Sequence, residues 1–269
     1  MFHVNTPHAL TRAAGHLKYN SGRDGYRILF RGQDRIYDGL SPSLYRNLKR
    51  QEALCAANHN IDAAMKDLVC KASLGHGGGD VSNVPDYARE GLLQHYGLKT
   101  RWLDLVDNIW VALWFACYQM KISDYKKQFA HFEKRDAGIE VSGYSYILLI
   151  RAGSATASAE CPGLFEGTSD SLLDLRVATP SLFLRPHAQH ALVFRVKDAG
   201  GSITYDYRDS IAGVIRVRLS DALSWLGHGG FIGCHAFFPP PFYDIGYRHL
   251  LDCGYTGNAE TGHIHYIGP

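Results

Sequence analysis

The stretch Gln94-His95-Tyr96-Gly97-Leu98-Lys99-Thr100-Arg101-Trp102-Leu103-Asp104 carries two cations, an imidazole, a phenol, an amide and a carboxylate between two apolar helical runs. Packing alone has little use for so many polar groups against a core. A ligand pocket does, because a few convergent polar groups on an apolar wall orient a substrate. Upstream, Phe30-Arg31-Gly32-Gln33 closes an apolar, strand-like run from Tyr26 to Phe30. The two segments together point to one polar site built from the first half of the chain.

Helical patterns flank these segments. Residues 47–72 place Leu54, Ile61, Met65, Leu68 and Val69 at helical spacing, with Asn60-Ile61-Asp62 as a short break. His76-Gly77-Gly78-Gly79-Asp80 reads as a loop, since neither a Lys-Ser/Thr pair nor a GxGxxG spacing supports a phosphate cradle. Pro85 suits the first turn of a helix through His95, and Gly97 its C-terminal left-handed position. Asp107 is a candidate cap for a core helix from Asn108 to about Gln128 that carries Trp110, Leu113, Trp114, Phe115 and Cys117.

The second half is β-rich. Tyr144 to Arg151, Ala191 to Lys197, Gly213 to Leu219 and Gly262 to Ile267 read as strands from their β-branched and aromatic content. Ser220-Asp221 would cap a short helix through Leu226, and Tyr243 to Cys253 reads as another helix. No segment has the composition of an interdomain linker, and no repeat is visible. The expected fold class is α+β, a single domain with a helical first half and a β-rich second half.

At 269 residues and 46% hydrophobic content the chain can bury one large core or two small ones. A formal charge of +2 gives no positive support for binding nucleic acid or a membrane surface. The longest apolar runs, Ile109 to Cys117 and Tyr144 to Ile150, are too short to span a bilayer. Met1-Phe2-His3-Val4-Asn5 lacks the pattern of a signal peptide, so a soluble cytoplasmic protein is expected. Cysteines 55, 70, 117, 161, 234 and 253 include no CxxC pair, and buried reduced thiols are expected. His187/His190, Cys234/His235 and His263/His265 do not form a metal-ligand pattern, so no metal is expected.

Phe30-Arg31-Gly32-Gln33, Leu40-Ser41-Pro42-Ser43-Leu44 and Leu93 through Asp104 resemble the FRG domain family, named for its Phe-Arg-Gly motif. Asn108-Ile109-Trp110-Val111-Ala112-Leu113-Trp114-Phe115-Ala116 continues the resemblance, which is strong over residues 26 to 118 and weaker beyond. Trp102 stands where the family usually has Leu. Arg185-Pro186-His187-Ala188-Gln189 loosely matches a later Arg-x-x-x-Gln segment, without the glycine that often follows it. Phe237-Phe238-Pro239 is similar to a late Phe-Pro element, so residues 1–269 are expected to form one FRG unit.

FRG domains are distantly similar to ADP-ribosyltransferases, whose first core strand often carries an aromatic-Arg-Gly sequence. The resemblance implies an ADP-ribosyltransferase-like core that cleaves NAD as substrate and passes ADP-ribose to a macromolecule, with DNA or RNA among the acceptors. Arg31 would hold the NAD phosphates or the nicotinamide-side ribose, as a guanidinium forks onto phosphate oxygens at every working pH. Gly32 would let the backbone approach the dinucleotide. Gln33, Tyr96 and Thr100 would complete the NAD contacts, with His95 and Arg101 in the same cleft. The reaction also wants a carboxylate beside the developing ribose cation. No Gln-x-Glu or Glu-x-Glu strand is present; Glu260, before the last strand, and Glu166, in a loop, are the candidates.

Each residue also has a structural reading. Arg31 would neutralise a buried Asp, and His95 would complement a helix C-terminus by about 0.3–1 kcal/mol. Tyr96 would pack against the helix end, Thr100 would close a turn through its own backbone, and Arg101 would pair with Asp104. The competing functional class is a non-catalytic module that binds a nucleotide or nucleic-acid end in the same cleft. A two-metal nuclease lacks its acidic cluster, and a serine hydrolase its GxSxG elbow.

Overall fold

A computed structural model describes residues 1–23, 25–73, 81–122, 129–138, 143–153, 156–227 and 233–268. The glycine-rich segment at 76–80 lies outside them. In chain order the elements begin with β1 (Phe2–Val4), α1 (Pro7–Gly22), β2 (Arg27–Gln33), α2 (Gln51–Ser73) and α3 (Asp86–His95). They continue with β3 (Leu103–Val106), α4 (Ile109–Cys117), β4 (Tyr118–Ile122) and β5 (Phe129–Lys134). The second half adds β6 (Tyr144–Ala152), β7 (Thr156–Ala157), β8 (Leu164–Glu166), β9 (Asp170–Asp174), α5 (Leu175–Ala178) and α6 (Leu184–Ala188). It ends with β10 (Ala191–Val196), β11 (Ile211–Arg218), α7 (Leu219–Leu226), α8 (Cys234–Phe237), α9 (Ile245–Asp252) and β12 (Tyr266–Ile267).

Among the described residues nine strands form one sheet in the order β1-β11-β6-β2-β3-β10-β9-β8-β7, and β12-β5-β4 form a smaller one. The fold is thus mixed α and β. Within the large sheet only β1 runs parallel to its neighbour, β11. The longest helices do lie in the first half. The two strands at the centre of the large sheet, β2 and β3, nevertheless come from that half too.

Alternation along the central strands sends side chains to two layers. Ile28 and Phe30 of β2, Ile147 and Leu149 of β6, and Ile215 and Val217 of β11 pack with α1, α4 and α7. Leu29, Leu148 and Ile150 join Leu103, Leu105, Leu192 and Phe194 in a separate cluster. A third core sets α2 and α3 against Leu173, Ala191 and Val193 of β9 and β10. No helix among the described residues is long and apolar enough to cross a membrane.

Several local expectations need correction. The helix expected over 108–128 ends at Cys117, and the chain enters β4 directly. Tyr118, Met120 and Ile122 alternate with Gln119 and Lys121, a period of two that a strand on β5 satisfies. Asn108, not Asp107, caps α4, its side chain accepting from Trp110 N at 2.9 Å. Asp107 instead meets Arg176 at 2.8 Å and His190 at 3.2 Å. The expected break at 60–62 is absent from α2. There Ile61 is fully buried and Asn60 bonds outward to Glu260 rather than competing with the backbone.

The last strand covers Tyr266–Ile267 alone, because Gly262, at φ +94°, turns the chain back onto Leu98 and Asn258. Ser220-Asp221 lies inside α7, which begins at Leu219. The expected 243–253 helix spans Ile245–Asp252, with Asp244 capping it. All six cysteines are free, but only Cys117 is buried, and Cys55 and Cys70 are exposed on α2.

Two contacts fix the site's frame. Gly32 lies where α4 crosses β2, and a Cβ there would overlap the Ala112 carbonyl oxygen and stand 2.8 Å from Ala116 N. The missing side chain therefore serves helix-on-strand packing. Arg101 ties α2 and α3 to the segment before β3. Its Nε and Nη2 donate to the Glu90 carboxylate at 2.9 and 2.7 Å, and Nη2 also reaches Asp62 at 2.8 Å. Burial opposes the Arg101 charge, but these two carboxylates outweigh it and raise its pKa. The Arg101–Asp104 pair anticipated from sequence does not form.

Both contacts are open to mutation. Gly32→Ala should lower the unfolding free energy by about 1–3 kcal/mol, the range for overpacking a tight core. An unchanged urea midpoint would show that α4 can move away freely. Arg101→Met strands the buried Glu90 and should cost about 3 kcal/mol, the low end for breaking a buried pair because Asp62 is half exposed. A melting temperature within a degree or two of wild type would contradict this structural role.

Candidate functional site

β2 and β3 are hydrogen-bonded neighbours at a single pair, Phe30↔Val106. Beyond it they part. β2 continues along β6, with Arg31↔Leu148 and Gly32↔Ile147, while β3 follows β10. The Arg31 side chain crosses the opening, and its Nη1 donates to the Asp104 carbonyl oxygen at 2.8 Å. A cavity of about 320 Å³ sits at this split. Its apolar wall includes Phe30, Val106, Ala112, Phe115 and Phe238, and its polar groups include Arg31, Gln94, His95, Asp104 and Gln189.

Arg31 is only partly exposed and is densely surrounded. Burial brings its guanidinium down to about 10, while the Asp104 carboxylate pulls the other way. It stays charged at neutral pH. Arg31 Nε is buried with no hydrogen-bond partner, and Nη2 makes no hydrogen bond to the described residues. A buried donor left unpaired is costly, so this end of the guanidinium suits an incoming acceptor.

Asp104 is the acid of the cavity. Its Oδ1 accepts from Gln94 Nε2 at 2.5 Å, and Oδ2 takes no hydrogen bond from the described residues. Gln94 Oε1 in turn accepts the Thr100 hydroxyl, and Thr100 Oγ1 accepts from Trp102 N at 3.2 Å. His95 approaches from the other side: Nε2 lies 3.5 Å from Asp104 Oδ1, and Nδ1 meets Gln189 Oε1 at 3.0 Å. Nε2 is within electrostatic reach of the carboxylate but lacks the geometry of a hydrogen bond. Gln189 Nε2 donates to Phe237 O at 2.8 Å.

The far wall rests on a buried cation. Arg185, 1% exposed, donates through Nη1 to His95 O at 2.9 Å. Its guanidinium lies over the rings of Tyr247 (4.0 Å), Tyr96 (4.7 Å) and Phe238 (5.4 Å). Asp244, fully buried, accepts from Tyr96 OH at 2.8 Å, Tyr247 N at 2.9 Å and Arg185 N at 3.2 Å. Burial pushes the Asp244 carboxyl up, and burial likewise holds the Tyr96 phenol well above its usual range.

Past Arg31 and Gly32 the cavity meets an open cleft of about 950 Å³ that shares these two residues with it. Gln33, Arg35, Arg46, Lys49 and Arg208 line the cleft, with Asp34, Asp38 and Asp206 among them. Arg35 and Arg208 already pair with Asp34 and Asp206. Arg46 and Lys49 make no ion pair with the described residues, so the cleft keeps a positive surplus beside Arg31.

The sequence candidates therefore divide. Arg31, Gly32, His95 and Tyr96 share the cavity, although the Tyr96 hydroxyl is committed to Asp244. Gln33 lines the outer cleft. Thr100 is fully buried and acts on Gln94 rather than facing the cavity. Arg101 lines a different cleft beyond α3, and Glu166, bonded to Ser171 and Lys197, shares that one. Glu260 is exposed, bonded to Asn60, and lines neither chamber. Asp104 is the carboxylate that lines the cavity with Arg31. Arg185 and Gln189, one helical turn apart, carried a sequence signal for a shared face; Asp244 carried none.

No curated protein matches the chain, and no solved structure does. The sequence model of the FRG domain matches residues 26–125, the span that supplies both parted strands, the Gln94–Thr100–Asp104 chain and the helix packed on Gly32. The protein thus carries an FRG domain over residues 26–125.

Proposed function

We propose that the two chambers bind NAD and that the protein transfers ADP-ribose from it to a macromolecular acceptor. The observation that carries this reading is the juxtaposition of Arg31, at the neck between a half-open apolar cavity and a basic cleft, with Asp104 inside that cavity. At about 320 Å³ the cavity is near the lower limit of small-molecule sites, roughly 300–1,000 Å³. It suits the nicotinamide ring and its ribose rather than a whole dinucleotide. The diphosphate would leave past Arg31 toward Arg46 and Lys49, where guanidinium and ammonium groups suit phosphate oxygens.

The chemistry follows from that placement. The bond between ribose C1′ and the pyridinium nitrogen breaks, and its electron pair leaves with neutral nicotinamide. The ribose carries the developing cation. Asp104, with Oδ2 free of hydrogen bonds from the described residues, lies against it as the compensating charge, worth more once the bound ligand excludes water from this half-exposed carboxylate. An acceptor oxygen or nitrogen then bonds to C1′ and releases its proton to solvent. Arg31 holds the phosphates so that the ribose meets Asp104 in one orientation. In this proposal the ADP-ribosyltransferase-like core is the split sheet itself, residues 1–269 act as one unit, and DNA or RNA is an acceptor class to be tried.

Nicotinamide release from NAD tests the proposal, with purified protein alone and with DNA, RNA or cell lysate added. Release is expected with one of these acceptors, and Arg31→Gln or Asp104→Asn should lower it by about 10²-fold or more. If no condition releases nicotinamide and NAD does not shift the melting temperature, the NAD reading fails. A shift without release would replace the transferase with a nucleotide-binding module.

A further inference from the structure

Asp104 is the acid of the cavity, and it stands where β3 keeps Val193 of β10 on one side but has parted from β2 on the other. A carboxylate there is free to turn unless something holds it. Its holder is a chain of side chains from the same short segment. Trp102 N donates to Thr100 Oγ1, the Thr100 hydroxyl donates to Gln94 Oε1, and Gln94 Nε2 donates to Asp104 Oδ1. Every link has a defined direction. With its oxygen occupied by Thr100, the Gln94 amide can present only its NH2 to Asp104. A flipped amide would set its oxygen against the Asp104 carboxylate, which only accepts; the Thr100 hydroxyl, able to donate or accept, then anchors the amide's other end.

The chain also fixes which carboxylate oxygen is left. Oδ1 is taken by Gln94, with the His95 ring 3.5 Å away, so Oδ2 is the oxygen available to a ligand. Thr100 is fully buried and cannot touch a ligand in the cavity. Gln94 lines the cavity with its Oε1 held by Thr100 and one N–H of Nε2 held by Asp104. We propose that Gln94 and Thr100 are positioning residues: Thr100 orients the Gln94 amide, which locks Asp104 with Oδ2 directed into the cavity. Their role in turnover rests on the transferase reading above. The lock itself does not.

The proposal predicts a graded series in the full-length protein. Thr100→Val keeps the shape and removes the hydroxyl, whereas Thr100→Ser keeps the hydroxyl. Gln94→Leu removes the middle link. For NAD cleavage, Thr100→Val and Gln94→Leu should lower kcat by about tenfold to a hundredfold, the scale of a misplaced reacting group, with KM for NAD within a factor of about two. Thr100→Ser should return kcat to near the wild-type value. A merely structural Thr100 would move stability without this split or rescue, so melting temperatures are recorded alongside.

A second readout needs no activity. In nuclear magnetic resonance spectra the Gln94 side-chain proton held by Asp104 should be protected from exchange with water in the wild type. It should lose protection in Thr100→Val and in Asp104→Ala, and keep it in Thr100→Ser. Unchanged protection in Thr100→Val in a folded protein overturns the lock, as does failure of Thr100→Ser to preserve it. If the wild type cleaves no NAD but the protection series holds, the transferase reading falls and the lock stands.

Discussion

The site depends on one departure from sheet geometry: β2 and β3 pair once, at Phe30↔Val106, and then separate. Two strands that part in the middle of a sheet leave backbone groups in need of partners. One of them, the Asp104 carbonyl, is met by the Arg31 guanidinium at 2.8 Å. The same side chain that closes the gap is therefore the cation facing the cavity. Neighbouring strands keep the opening from collapsing. β2 is held along β6 through seven consecutive residue pairs, and β3 is held along β10 through four.

The Phe-Arg-Gly triplet divides its labour among three surroundings. Phe30 is buried in the core with α1 and α4, Arg31 reaches into the split, and Gly32 lets α4 lie directly on the strand. Gly32 also lines both chambers, so the missing side chain serves the packing of α4 and leaves the chambers open beside it. Arg31 is thus flanked by a residue buried in the core and one pressed against α4, which suits a site that must hold two charged groups in register.

Much of this was legible in the sequence, and the reasons for the failures are local. The polar density of Gln94 to Asp104 pointed to the candidate cavity because a segment with seven polar side chains on a core has few other uses. The same density hid the wiring, since a list of residues does not say which of them meet. Arg101 is two helical turns or more from Glu90 along the chain, and only the return after Gly97 brings them together. Asp104 was thereby freed for the cavity. The end of α4 was invisible for another reason: Phe115 to Ile122 is apolar enough for a helix and alternating enough for a strand, and only pairing with β5 decides. The free thiols were foreseeable from the lack of any paired spacing, but their exposure on α2 depends on which helix face the core takes.

The Arg185–Asp244 wall has a consequence for how such a site diversifies. Both residues lie outside the span that the FRG model recognises, as do Gln189, Phe238 and the ring of Tyr247 beneath Arg185. The motif-bearing half of the chamber and its opposite half thus come from separate stretches of the sequence. Proteins could keep Arg31, Gln94, Thr100 and Asp104 unchanged while redrawing the surface that a ligand's other face meets. Ligand preference would then drift in the part of the chain where family resemblance is weakest, and a shared motif would be a poor guide to a shared substrate.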